Sequence, residues 1–212
     1  MADDRLSAWE TLFRRALVLL DSATASGATL RHWSFGGGTV LMRRHRHRFS
    51  KDIDIFVADP QCLPYLSPRL NPDAEELTSE YVEQAAFLKL SFPEGEIDFV
   101  ASAPLTDRPT VDEILFGRTV AVETSTEIVA KKVWHRGDQF TARDIFDVAM
   151  VTEVEPKALL QIKPVLQTRR EAVLGRIASL EDALRAEFAE LAILEYRRSF
   201  DECVALVRRA LQ

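Results

Sequence analysis

The chain has 212 residues, 47% of them apolar and 28% charged, enough for one substantial core or two small ones and unlike a disordered segment. Its net charge of −6 argues against broad nonspecific binding to nucleic acid while leaving room for a local basic patch. Two cysteines, Cys62 and Cys203, exclude a disulfide framework, and the apolar run Ala16 to Leu20 is far too short for a signal or membrane segment, so a cytoplasmic protein with no membrane partner is expected.

In chain order, Leu6, Trp9, Leu12, Phe13, Leu17 and Leu20 recur at helical spacing and predict a first helix over 6–24 that packs on a sheet. The short apolar run Trp33 to Phe35 then meets Gly36, Gly37 and Gly38, with a helix predicted from Thr39. A glycine turn feeding a helix start lets the backbone approach a ligand and offers N–H groups to an anion such as a triphosphate. The basic run Arg43, Arg44, His45, Arg46, His47 and Arg48 follows; Arg43 to His45 read as a solvated helix end, where cations suit the dipole. Ser50-Lys51 leads into Asp52-Ile53-Asp54-Ile55-Phe56-Val57, which reads as a strand with Asp52 and Asp54 on one face. Two neighbouring carboxylates repel each other unless a cation sits between them, and Mg²⁺, which takes oxygen ligands and keeps substrate phosphates in its shell, suits that place. Either element alone reads equally well as a surface loop and two exposed aspartates. Glycine turn, helix and Asp-x-Asp strand together point to a nucleotidyltransferase.

Pro60 to Asn71 reads as a loop, and residues 85–92 and 96–101 flank Pro93-Glu94-Gly95 as a hairpin, with Asp98 facing opposite to Ile97 and Phe99. From Thr110 the character is taken to be helical. Glu127 to Arg136 forms one helix, stopped at Gly137, and Thr141 caps a second over Ala142 to Val151. Asp144 and Asp147 fall at i, i+3 on that second helix, where either can orient a lysine or a substrate hydroxyl, or simply join a salt-bridge network. Beyond Pro156 and Pro164, Leu174, Ile177, Leu180, Leu184, Phe188, Leu191 and Leu194 form an apolar stripe continued by Val204, Leu206, Val207 and Leu211, read as bundle core rather than a docking surface. The basic points among them, from Arg169 to Arg209, alternate with glutamates and read as readily as solvated helix as an RNA-facing side.

The stretches G-G-G-T-V-L and H-R-F-S-K-D-I-D-I-F closely resemble the AbiEii/AbiGii-type nucleotidyltransferase toxins of the DNA polymerase β-like superfamily, and the likeness extends in three patches over about residues 30–150. The resemblance implies an α+β fold: a mixed nucleotidyltransferase sheet with helices in residues 1–109, followed by a helical bundle in 110–212 that completes the active-site cleft. It implies metal binding and catalysis by Asp52 and Asp54, with Asp98 as third carboxylate of a two-metal Mg²⁺ site. Nucleotide binding would fall to Gly36, Gly37, Gly38, Thr39, Arg48 and Ser50; Arg48 would contact phosphate or clamp the acidic strand, and His47 matches the motif only weakly. A family lysine that contacts the triphosphate matches Lys132 by register, with Lys131 as rival, and Arg143, Asp144 and Asp147 match the accompanying R-D-x-x-D element. Ser50 stands at a hydroxyl position phosphorylated in some relatives, where a dianion would compete with the incoming nucleotide. The implied function is a toxin of a toxin–antitoxin or abortive-infection system that adds nucleotides, often pyrimidines from CTP or UTP, to the 3′ end of tRNA and is matched by a cognate antitoxin. Transfer to a small molecule or a protein side chain, and a non-catalytic binding module of the same fold, remain alternatives, and the sequence leaves the oligomeric state open.

Overall fold

The computed structural model describes residues 4–30 and 32–212. Among the described residues the chain folds into two compact units that interleave in sequence: residues up to 40, 50–103 and 112–122 form one, and residues 41–49, 104–111 and 123–212 the other. The single boundary expected at 109/110 is thus replaced by repeated crossings, because segment 41–49 folds with the helices and most of 110–122 with the sheet.

The first unit is built on a mixed sheet of seven strands among the described residues: β1 (Trp33–Gly36), β2 (Ile53–Val57), β3 (Tyr81–Glu83), β4 (Phe87–Phe92), β5 (Gly95–Ala101), β6 (Thr110–Leu115) and β7 (Arg118–Glu123). Their order is β3-β4-β5-β2-β1-β7-β6. β2 runs antiparallel to β1 and parallel to β5, and β4 pairs antiparallel with β5 through the tight turn expected at Pro93 to Gly95. Side chains alternate as a two-residue period requires: Ile53, Ile55, Val57, Leu88, Leu90, Ile97 and Phe99 are buried on one face. Against that face lies helix α1 (Ala8–Ala25), whose Trp9, Leu12, Phe13, Ala16, Leu19 and Leu20 repeat at three and four residues and are buried. Phe13 meets Phe35 of β1 with ring centroids 4.6 Å apart. Asp54, Asp98 and Lys89 are left on the opposite face.

Residues 110–123 are a hairpin, not the start of the helical part. Alternating β-branched residues set its strands, and Phe116 and Gly117, with φ of 52° and 77°, form the left-handed two-residue turn that matches strand twist. The loop expected over Pro60 to Asn71 contains a 3-10 segment, Pro60–Leu66, capped by Asp59, which accepts the Gln61 N–H at 2.9 Å, and the short helix α3 (Pro72–Leu77) follows it.

The second unit holds α4 (Ser125–Arg136), α5 (Ala142–Val154), α6 (Pro156–Gln161), α7 (Lys163–Ser179), α8 (Glu181–Ala189) and α9 (Phe200–Ala210). Thr124 caps α4, and Thr141 and Asp144 form a reciprocal capping box at the start of α5. Ile177, Leu184, Phe188, Val204, Val207 and Leu211 are buried, so most of the predicted stripe is core. Leu191 and Leu194 do not continue it as helix. Residues 191–199 are not helical, and Leu194 N–H and Glu195 N–H donate to the carbonyls of His47 and Arg46 at 3.0 and 2.8 Å, while Phe49 N–H donates to the Ala192 carbonyl. This pairing with a segment about 150 residues upstream satisfies the backbone locally and ends the helix without a proline or glycine.

Because Phe35 is fully buried between Trp9 and Phe13, Phe35→Ala is expected to lower stability by about 3–5 kcal/mol, read as a shift of the urea midpoint at unchanged m-value.

Candidate active site

The acidic strand residues are organised by register. Gly36 is opposite Asp54, Asp54 opposite Asp98, and Asp98 opposite Lys89, so β1, β2, β5 and β4 each contribute one residue to a single row across the sheet. Register partners on adjacent strands point to the same face, which brings the Asp54 and Asp98 carboxylates side by side. Burial first, and then the charge of Asp54, push the Asp98 carboxyl up to about 6, with Lys89 acting in the opposite direction. Asp98 Oδ1 is buried, accepts no hydrogen bond, and lies 3.5 Å from Lys89 Nζ.

At the other end of the row the chain leaves β1 and enters α2 (Gly37–His45) through Gly37, whose φ of +74° lies in the left-handed region. A Cβ on Gly37 would fall 1.8 Å from Asp54 Oδ2, so the absence of a side chain there is what admits the carboxylate beside the helix start. Asp52 lies one residue before β2, and its Oδ1 accepts the Glu96 N–H at 3.1 Å. Thr39, expected at the nucleotide, is fully buried: its hydroxyl donates to the Asp52 carbonyl at 2.6 Å and lies 3.0 Å from Ser50 Oγ. It ties the first turn of α2 to the 50–52 turn, while Ser50 stays partly exposed.

In the second unit α2 ends in a left-handed residue, Arg46 (φ 48°), and the chain turns so that His47 and Arg48 enter the helical core. Arg48, expected on phosphate or on the acidic strand, instead grips Asp147 of α5 with two parallel bonds, Nε to Oδ1 and Nη2 to Oδ2, each 2.7 Å. His47 Nε2 lies 2.7 Å from the same Oδ1, and Lys132 Nζ lies 3.1 Å from Asp147 Oδ2 and 2.7 Å from Asp144 Oδ1. Burial works to raise the Asp147 carboxyl, yet Arg48, Lys132 and His47 together hold it well below the usual carboxylate range. Burial likewise opposes ionisation of Asp144, and Lys132 and Arg136 outweigh it. His47 is lowered by burial against the pull of Asp147. Lys132, not Lys131, is therefore the lysine that joins the two aspartates. Lys131 Nζ lies 2.6 Å from Glu123 Oε1 and 3.6 Å from Glu127. Arg143 is exposed, away from the burial shared by Asp144 and Asp147.

The helix end read as solvated is engaged as well. Arg44 donates to the Glu123 carbonyl and His45 Nε2 lies 2.8 Å from Glu155 Oε1. Buried Glu127, which sequence reasoning passed over, accepts the Leu105 N–H at 3.0 Å and the Thr106 hydroxyl at 2.7 Å. Its only signals were its place three residues after the cap Thr124 and its i, i+4 spacing to Lys131.

Asp54 and Asp98 offer carboxylate oxygens, which a hard divalent cation prefers, and Asp98 Oδ1 is buried without a hydrogen bond, with the Lys89 ammonium 3.5 Å away. The pair fits a metal. The expected trio is not gathered: among the described residues no group of three or more His, Cys, Asp or Glu side chains converges to hold an ion, and Asp52 Oδ1 is occupied by the Glu96 N–H.

Two solved structures share this fold over the full length of the chain. One is described as a putative nucleotidyltransferase from Helicobacter pylori, with 12% identity, TM-score 0.52 and 95% of its own chain covered. The other is JHP933 from Helicobacter pylori, also 12% identical, with TM-score 0.51 and 92% covered. The nucleotidyltransferase toxin MenT4 from Mycobacterium tuberculosis aligns with 92% of this chain and 80% of its own, at 18% identity and TM-score 0.49. Among curated proteins nothing matches. The fold is thus the α+β nucleotidyltransferase fold with a C-terminal helical part. Residues 19–211 match the family described as nucleotidyl transferase AbiEii toxin, type IV toxin–antitoxin system, and the chain belongs to that family. It is a nucleotidyltransferase of a toxin family, and a cognate antitoxin belongs with it. Among the described residues no helix is long and apolar enough to cross a membrane.

Gly37→Ala is expected to push Asp54 out of the row and lower nucleotidyl transfer by at least about 100-fold, roughly 3 kcal/mol in transition-state terms, while circular dichroism shows the fold retained. Asp147→Asn leaves buried cations without their counter-charge and is expected to cost about 3–5 kcal/mol at pH 7. A depressed folded-state pKa contributes stability above the unfolded value of about 4 and loses it as pH falls toward the folded value. Urea midpoints between pH 7 and pH 3 should therefore fall more steeply below pH 4 in the wild type than in Asp147→Asn.

Proposed function

We propose that this chain is a cytoplasmic, metal-dependent toxin that transfers a nucleoside monophosphate from an NTP to the 3′ end of tRNA. The observation that carries the reading is the row Gly36–Asp54–Asp98, with a left-handed glycine under Asp54 at the start of a helix. Backbone N–H groups at that helix start and an adjoining carboxylate pair are the two things a triphosphate needs: donors for its oxygens and a fixed place for its counter-ion.

Asp54 and Asp98 would hold the divalent cation, Mg²⁺ in this reading, whose chemistry is to neutralise the triphosphate and ease deprotonation of the attacking hydroxyl, and Asp52 would join them only by turning its carboxylate away from the Glu96 N–H. Gly36 to Gly38 orient the phosphates, and Thr39 keeps Asp52 in place by its bond to the Asp52 carbonyl. The acceptor's 3′-oxygen bonds to the α-phosphorus, the bond to the β-phosphate oxygen breaks, pyrophosphate leaves, and the hydroxyl proton passes to solvent or a carboxylate. In the second unit Lys132, Asp144 and Asp147 form a fixed charged group. A tRNA acceptor fits a toxin, since an extended 3′ end cannot be aminoacylated and translation stops. Ser50, partly exposed beside Thr39, is a place where phosphorylation would repel the nucleotide, a means of restraint alongside the antitoxin.

Incubation with Mg²⁺, each α-labelled NTP in turn and total tRNA should label tRNA, with one or two NTPs, CTP or UTP, preferred. Asp52→Ala and Asp54→Ala should each lower the label by more than about 100-fold, and Ser50→Glu by about tenfold or more through a raised KM for the NTP. Label appearing in protein or in a small molecule, with none in RNA, would sink the tRNA assignment while leaving the nucleotidyltransferase intact.

A further inference from the structure

Lys89 stands at the end of the carboxylate row, and neither the family motif nor the reaction described above uses it. It sits on β4 directly opposite Asp98, and its Nζ lies 3.5 Å from Asp98 Oδ1, the buried oxygen that accepts no hydrogen bond. The same ammonium also contacts the Glu96 carboxylate. Glu96 and Asp98 are two residues apart on β5 and share a face. Lys89 and Glu96 are about a third exposed, at 30% and 41% for their side chains, whereas Asp98 is more buried at 22%. A long, flexible lysine stem between two carboxylates has two places to put its charge: inward on Asp98 or outward on Glu96. A divalent cation on Asp54 and Asp98 would repel the ammonium a few ångströms away and favour the outward position.

We infer that Lys89 is a built-in competitor for the metal position, and that the Lys89–Glu96 contact sets how tightly the Asp54–Asp98 pair takes up a divalent cation. The inference rests on the reading of that pair as the metal site. With the ammonium inward, the pair carries part of its counter-charge already and binding is weak. Glu96 supplies the outward position and so lowers the cost of admitting the ion. Metal occupancy then depends on the nucleotide as well, because a bound triphosphate brings further negative charge to the same place. Lys89 is thus a positioning residue acting through Asp98.

The test is direct binding of Mn²⁺ to the full chain without nucleotide at pH 8, followed by the EPR signal of the unbound ion. Removing one positive charge a few ångströms from the ion should tighten binding by about fivefold or more in Lys89→Met, and Lys89→Arg should stay close to wild type. Glu96→Gln should weaken binding by about threefold, and that loss should largely disappear in the Lys89→Met/Glu96→Gln double variant, since Glu96 acts by drawing the lysine away. Lys89→Met that binds Mn²⁺ no more tightly than wild type, with binding still abolished by Asp54→Asn, overturns the role of Lys89 and leaves the metal site standing. Wild type and Asp54→Asn binding alike would overturn the metal site and this inference together.

Discussion

Two carboxylates held side by side on adjacent parallel strands are the constraint on which the first unit turns. The β2–β5 register sets Asp54 opposite Asp98, and burial with mutual repulsion raises the Asp98 carboxyl to about 6. Such a pair is a standing cost to the fold unless a cation is nearby, and the rest of the row answers to it. A glycine in left-handed conformation makes room for one carboxylate, and a lysine stands beside the other. The apolar face of the same strands, packed on α1, holds the register against that repulsion.

The second unit shows the contrasting solution to buried acid. Asp147 is fully buried, but Arg48, His47 and Lys132 surround it, and its carboxyl lies well below the usual range. That group is satisfied from within the protein: both oxygens of Asp147 are engaged at 2.7–3.1 Å. Asp98, with one oxygen buried and accepting no hydrogen bond, is left incomplete. The difference in satisfaction separates a cluster that fixes a structure from one suited to receive a ligand. It also gives two acidic motifs, Asp-x-Asp and R-D-x-x-D, different physical characters despite similar composition.

Much of this was legible in the chain. Alternation in Ile53 to Val57 and in Ile97 to Phe99 identified the strands and the outward aspartates, and the capping signal at Thr141 located α5. Residues 110–123 carry a local signal, β-branched alternation around Phe116-Gly117, that favours the observed hairpin over the expected helix. The other departures are decided elsewhere in the molecule. Residues 191–199 contain no helix breaker and leave the helix where residues 192–195 pair with residues 46–49. Arg48 looked like a phosphate ligand because its motif adjoins the acidic strand, yet its partner lies about 100 residues away in α5.

The order of residues alone determined the glycine turn, the Asp-x-Asp strand and the family to which they belong, because those depend on local spacing and backbone freedom. Only the tertiary structure decided which lysine meets Asp144 and Asp147, that Thr39 serves the backbone of Asp52, that Asp52 turns to the Glu96 N–H, and that Lys89 stands beside Asp98. Each of those is a contact between strands or helices remote in sequence. Pairing register and the demand that buried charges find partners set such contacts, and no single segment carries either.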